Sequence, residues 1–325
     1  MRKSGILMHI TSLPNPYGIG SMGKCGYDFV DFLSRAGQTY WQILPLSPTG
    51  YGDSPYQAFS TFAGNHYLID IDQLIGQGLL MQEEADELSW GEDETRVDFG
   101  LMYENRTKLL YRAYKRFAPD GGYKRFVMEN QDWLDDYALF MAIKDSLGGI
   151  SWIEWDKDIK LRKKEALKKY KEELKEEIDF YKFQQYYFAK QWKALKKYAN
   201  DKGIEIVGDI PIYVALDSAD TWANPQLFQV DEECIPVAVA GCPPDAFSAT
   251  GQLWGNPLYD WEYMRKQDYA WWVERIRYCY ELYDIVRIDH FRGFDEYYSI
   301  PYPATNAKNG KWEKGPGYQI FETFK

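Results

Sequence analysis

Two charged groups in the run Asp284-Ile-Val-Arg-Ile-Asp289-His-Phe-Arg-Gly-Phe294 have the types and spacing for joint chemistry: Arg287 and Asp289. Ile285, Val286 and Ile288 form a short apolar, β-branched stretch of the kind found in a parallel sheet covered on both faces. On such a strand, side chains two apart point the same way, so the guanidinium and the carboxylate share one pocket. A neighbouring cation favours the ionised form of an acid, and arginine offers it a planar fork that stays charged. Asp289 therefore reads as a carboxylate kept charged, which suits a nucleophile better than a proton donor. A structural ion pair at a strand end accounts for the same residues equally well.

Positioning such a carboxylate requires a sheet, and three other stretches supply strands. Residues 5–10 are apolar and end in the turn-rich Pro14-Asn-Pro-Tyr-Gly-Ile-Gly20. Tyr27, Val30, Phe32, Leu33 and Ala36 then recur at helical spacing up to Gly37, a C-cap residue type. Residues 40–46 form a second strand, stopped by prolines, so strand, helix and strand make a right-handed βαβ unit and a parallel sheet. A third strand, residues 204–213, carries Asp209 after its apolar run and just before Pro211, which places this carboxylate at the rim, like Asp289.

Between these strands lie three other kinds of segment. The loop Gly50-Tyr-Gly-Asp-Ser-Pro-Tyr-Gln57 follows a parallel strand, where barrel enzymes bind ligands, and it carries Tyr51, Asp53, Ser54, Tyr56 and Gln57, which could converge on a substrate. An ordinary turn explains the loop as well. From about 73 to 200 the pattern is helical, with a solvated Lys/Glu face between Lys157 and Glu177 and a core stripe of Phe188, Trp192, Leu195 and Ala199. Residues 217–260 show little periodicity and read as a binding loop or lid, in which Gln252 and Asn256 bracket Trp254.

Bulk properties narrow the class. A chain of 325 residues with 45% hydrophobic and 17% aromatic content can build a sizeable core, and global disorder is excluded. The 27 tyrosines, 12 tryptophans and 17 phenylalanines exceed what a core needs, and rings line sugar and ligand clefts. A net charge of −11 without a basic block argues against a nucleic-acid partner. Cys25, Cys234, Cys242 and Cys279 show neither CxxC nor zinc spacing, which fits reduced thiols. No stretch reaches membrane-span length and residues 5–10 are too short for a signal core, so a soluble cytoplasmic protein is expected.

Taken together, six ordered motifs resemble the 4-α-glucanotransferases, or amylomaltases, of glycoside hydrolase family 77 in the α-amylase clan. They are Thr11-Ser-Leu-Pro with Tyr17-Gly-Ile-Gly20, Gly50 to Gln57, Gly208-Asp-Ile-Pro-Ile-Tyr-Val214, Pro243-Pro-Asp-Ala-Phe-Ser248, Gly251-Gln-Leu-Trp-Gly-Asn-Pro257 and Arg287-Ile-Asp-His-Phe-Arg-Gly293. The resemblance implies a (β/α)8 barrel and double-displacement transfer of α-1,4-glucan segments, with no metal or organic cofactor. It implies that Asp289 is the nucleophile, Arg287 orients it, and Asp209 and His290 line the sugar site. It further implies that Tyr56 stacks on the sugar, Trp254 floors the acceptor side with Gln252 beside it, and Ser54 and Asp245 belong to the substrate-binding loops. The 243–251 loop would exclude water, and Tyr51 would belong to a secondary glucan groove.

One departure stands out. Retaining transfer uses two carboxyl groups about 5–5.5 Å apart, and the family's acid/base Glu, expected after the next barrel strand, has no counterpart motif between Asp289 and Lys325. Four barrel-type strands are legible where a closed barrel has eight. The expectation is therefore an incomplete barrel. Residues 1–325 would be the N-terminal part of one catalytic domain, with a core of about 1–72 and 180–325 and a helical insertion of about 73–180. Such a chain would be inactive alone. Alternatives are a hydrolytic α-glucosidase and a non-catalytic glucan-binding remnant.

Overall fold

The computed structural model describes residues 2–50, 52–93 and 95–325. Its strands, in chain order, are β1 (Gly5–Leu7), β2 (Tyr40–Gln42), β3 (Glu205–Pro211), β4 (Ala238–Cys242), β5 (Gln252–Pro257), β6 (Ile285–Asp289), β7 (Glu296–Pro301) and β8 (Lys311–Lys314). Four of them, in the order β1-β2-β3-β6, form the expected parallel sheet. The helix Lys24–Arg35 crosses between β1 and β2.

The sheet differs from the sequence expectation in extent and exposure. β1 stops at Leu7, and Ile10 instead enters a 3-10 turn, fully buried, because pairing with β2 covers only three residues. β2 is likewise shorter than 40–46, although the Ile43 amide still bonds the Val207 carbonyl at 3.0 Å. The last strand is not buried on both faces: among the described residues β6 pairs with β3 alone, Ile285 is 38% exposed, and Val286 and Ile288 are half-buried. Its β-branched residues thus lie on a sheet edge.

A second sheet, antiparallel and ordered β5-β4-β7-β8, takes β4 and β5 from what reads as an unstructured loop and β7 and β8 from the chain after β6. β4 is Ala-Val-Ala-Gly-Cys and β5 contains Gly255, Asn256 and Pro257, so neither alternates apolar with polar residues. β4 is almost wholly buried, which removes the period-2 signal. A bulge between Val239 and Gly241 disturbs it further.

The helical region is as expected in kind. Its principal elements are Gln131–Ser146 and the 27-residue Lys175–Asp201, which pack on one another. Phe188, Trp192, Leu195 and Ala199 are buried with Trp41, Ile206 and Tyr283 in one core. Residue 180 lies inside the long helix, and Phe180 and Phe183 share that core. All four cysteines are free. No helix among the described residues is long and apolar enough to cross a membrane.

Candidate active site

Strand register builds the centre of the site. In the parallel pair β3/β6, Asp209 faces Arg287 and Pro211 faces Asp289, so both acids and the guanidinium meet at the C-terminal ends of neighbouring strands. Arg287 Nη1 donates to Asp209 Oδ1 at 2.6 Å, and Nη2 donates to Asp289 Oδ1 at 3.0 Å. The shorter bond thus goes to Asp209, across the strands, rather than to the residue two places along. Asp209 is 1% exposed, whereas the side chains of Arg287 and Asp289 are 48% and 43% exposed. Asp209 therefore does not stand open at the rim as its place in the sequence led one to expect; it is the buried anchor of the guanidinium. Hydrogen bonding to Asp209 is the main cause that raises the Arg287 pKa above its usual value.

The second Asp209 oxygen, Oδ2, accepts from the Tyr56 hydroxyl at 2.8 Å. Tyr56 stands on the 52–57 loop, where Gly52 and Asp53 take left-handed backbone angles and the Ser54 hydroxyl accepts from the Tyr56 amide at 3.3 Å. Burial and the Asp209 contact push the Tyr56 phenol up to about 12, so it remains a donor at neutral pH. Tyr56 and Asp209 line a pocket with Leu46 and Tyr213. Tyr51 lies outside the described residues.

His290 follows β6 in a left-handed conformation, φ 52°, which turns the chain immediately after Asp289. Its ring meets Trp254 edge-on, with centroids 4.8 Å apart, and burial lowers its pKa, favouring the neutral form. Trp254 Nε1 donates to Gln252 Oε1 at 3.0 Å, so these two expected partners do touch. Tyr213 lies 6.4 Å from both Trp254 and His290. Asp245 Oδ1 accepts the Phe247 and Ser248 amides at 2.8 and 2.7 Å, shaping a loop in which Phe247 is 99% exposed.

Two contributors, Arg275 and Tyr213, escaped the sequence reading of the site, and so did one link between residues it did name. Gln57 Nε2 donates to Asn256 Oδ1 at 3.1 Å, and Asn256 Nδ2 donates to the Val214 carbonyl at 2.8 Å, so one amide relay joins the 52–57 loop, β5 and the chain after β3. Gln57 and Asn256 were each legible in their own segments, but an amide partner 199 positions away leaves no local pattern. Arg275, 1% exposed, donates to the Ile212 carbonyl at 3.0 Å, capping the chain after β3. Its signal was an arginine on the buried side of a helix, flanked by Trp271, Trp272 and Cys279. Tyr213 passed as strand.

Chemically, the centre offers a solvent-facing carboxylate with one oxygen steadied by a guanidinium, beside an aromatic wall. Comparison with known proteins agrees with the family resemblance. The profile of glycoside hydrolase family 77, described as 4-alpha-glucanotransferase, matches residues 8–325. A 4-alpha-glucanotransferase of Clostridium butyricum is 53% identical over 98% of this chain, and one of Streptococcus pneumoniae is 53% identical over all of it. The chain spans 66% and 65% of their respective lengths. An amylomaltase from Streptococcus agalactiae, solved in complex with acarbose, superposes with a TM-score of 0.97 at 46% identity, over 100% of this chain and 66% of that one. The amylomaltase of Corynebacterium glutamicum shares the fold at 18% identity, TM-score 0.78, over 99% of this chain and 45% of its own. By sequence and by fold, this chain belongs to glycoside hydrolase family 77, the 4-α-glucanotransferase family.

Proposed function

We propose that the site binds an α-1,4-glucan of the starch, maltose or glycogen type in the cytoplasm and that Asp289 attacks its anomeric carbon. The bond from carbon to the Asp289 oxygen forms as the glycosidic carbon–oxygen bond breaks, giving a β-linked glucosyl ester that an acceptor sugar hydroxyl then displaces. The observation that carries this reading is the asymmetry of the pair: one Asp289 oxygen is held by Arg287, while the other has no hydrogen bond among the described residues and the side chain is 43% exposed. The relative solved with acarbose supports the choice of ligand class.

In this reading the parallel sheet is the first part of a (β/α)8 barrel, residues 1–325 belong to one catalytic domain, and about 73–180 are inserted. Tyr56 and His290 flank the sugar next to the scissile bond, Trp254 with Gln252 floors the acceptor side, Ser54 extends the binding surface, and Tyr51 belongs to a secondary glucan groove. Asp209 acts through Arg287 and Tyr56. The Asp245 loop closes over the site and keeps water out, which favours transfer over hydrolysis.

The departing oxygen needs a proton from a second carboxyl. Asp209, buried with both oxygens already bonded, is unsuited to that task. Binding without turnover is therefore the behaviour expected of this chain by itself. The test is calorimetric titration with maltoheptaose alongside an assay of transfer from maltotetraose to labelled glucose. Binding weakened about tenfold or more in Trp254→Ala, with no transfer, is the expected result. An absence of binding, or binding indifferent to Trp254, sinks the site. Transfer abolished by Asp289→Asn keeps the nucleophile and overturns the missing proton donor.

A further inference from the structure

Regular sheet pairing does not aim Trp254. Along β4 and β5 the paired positions jump from Gly241/Leu253 to Val239/Pro257, so Trp254, Gly255 and Asn256 stand opposite Ala240 alone. Three residues against one make a bulge, and a bulge re-aims side chains because it releases the strand from the regular ladder. Gly255, in the middle of it, takes φ 79° with open space where a side chain would begin, so no packing holds the turn there. The Trp254 indole is half-buried, and the one hydrogen bond it makes among the described residues goes to Gln252, an exposed side chain. The backbone of the bulge must therefore be held from elsewhere.

The 52–57 loop supplies the hold. Gln57 Nε2 donates to Asn256 Oδ1 at 3.1 Å and lies 3.5 Å from the Trp254 carbonyl, so one amide reaches both ends of the bulge. Asn256, 5% exposed, passes the restraint on to the Val214 carbonyl at 2.8 Å, next to Tyr213. Gln57 is itself anchored by its backbone: its amide donates to the Ser54 carbonyl at 3.1 Å, and its carbonyl accepts the Gly50 amide at 3.0 Å. The preceding residue, Tyr56, is tied to Asp209. The Gln57 side chain thus bridges the loop that carries the phenol and the bulge that carries the indole.

We propose that Gln57 is a positioning residue that acts through Asn256 to lock this bulge and so fixes where Trp254 stands relative to Tyr56. A glucan touching both rings then meets them already in place, which lowers the ordering cost of binding. The proposal rests on the glucan reading for its ligand, whereas the lock is a property of the free chain. Gln57 is half-buried on a loop, so its loss removes one neutral hydrogen bond and disturbs folding little, while the aim of the ring is lost.

The test has two arms. The chain labelled with 5-fluorotryptophan is observed by fluorine NMR without ligand, the Trp254 resonance being assigned by its disappearance in Trp254→Phe. Maltoheptaose is titrated calorimetrically into the wild type, Gln57→Leu, Gln57→Glu, Trp254→Ala and the Gln57→Leu/Trp254→Ala double variant. Gln57→Leu removes the donor, and Gln57→Glu keeps the shape but sets a carboxylate against the Asn256 oxygen. Expected are a displaced or broadened Trp254 resonance in both Gln57 variants, binding weakened about tenfold in each, and no further weakening by Gln57→Leu in the Trp254→Ala background. An unmoved resonance overturns the proposal. Equal weakening by Gln57→Leu with and without the indole also overturns it, because general loosening of the site would give that result. A wild type that fails to bind maltoheptaose while the resonance still moves supports the lock and overturns the glucan reading alone.

Discussion

Replacing Arg287 by Met tests whether its guanidinium serves chiefly the buried acid or the open one. Asp209, 1% exposed, would keep only the Tyr56 hydroxyl and lose the 2.6 Å charge-assisted bond to Oδ1. Stripping one partner from a fully buried ion pair costs about 3–5 kcal/mol. Arg287 is 48% exposed, so water enters its place and the expected cost falls to about 2 kcal/mol. The Asp289 contact, 3.0 Å between two side chains that are each nearly half-exposed, is worth at most about 0.5 kcal/mol. Urea denaturation at neutral pH should therefore show a clear loss for Arg287→Met and almost none for Asp289→Asn. In a cycle with Asp209→Asn, the double variant should recover about 1 kcal/mol relative to additivity. Equal losses for Arg287→Met and Asp289→Asn, or strict additivity in the cycle, would refute the assignment of Asp209 as anchor. The predicted outcome would also mean that any loss of glucan chemistry in Asp289→Asn reports on the reaction and not on unfolding.

Three further outcomes follow from burial. Asp220, raised from 3.8 to about 6, burdens the folded state above that pH and not below 3.8, so Asp220→Asn should stabilise the protein by about 1–3 kcal/mol at neutral pH, with the gain vanishing on acidification. Thermal melts across that pH range check the sign. His9 and His66, both lowered from 6.5 to about 4 by burial, act in the opposite sense: stability falls as pH drops from 6.5 to 4, and a His9→Gln/His66→Gln variant should flatten that decline in urea titrations. Gly208→Ala would place a Cβ 2.2 Å from the buried Tyr283 ring, and a loss of about 3 kcal/mol or more is expected in the same denaturation assay.

How much of this was legible beforehand depends on how local each signal is. Parallel strands ending in Asp209 and Asp289 could be read because apolar β-branched runs stop at an acid within a few residues. Contact between Arg287 and Asp289 could be read because it needs only the two-residue period of a strand. The stronger bond from Arg287 to Asp209 could not, since it depends on the register between strands some 78 positions apart. Nor could the second sheet: the small residues of β4 and the Gly-Asn-Pro end of β5 lack alternation, and the pairing of β4 with β5 and with β7 is set by tertiary burial. For Asp245, the sequence could not show that its carboxylate also holds the amides of its own loop.

The hydrogen-bonded chain from Gln57 through Asn256 to the Val214 carbonyl has a mechanical consequence. Pieces of backbone drawn from three distant parts of the polypeptide are coupled by neutral side-chain amides, which neither titrate nor respond to ionic strength across the ordinary range. The spacing between the phenol of Tyr56 and the indole of Trp254 is thereby insulated from acidity and salt, even though the charges a few ångströms away are not.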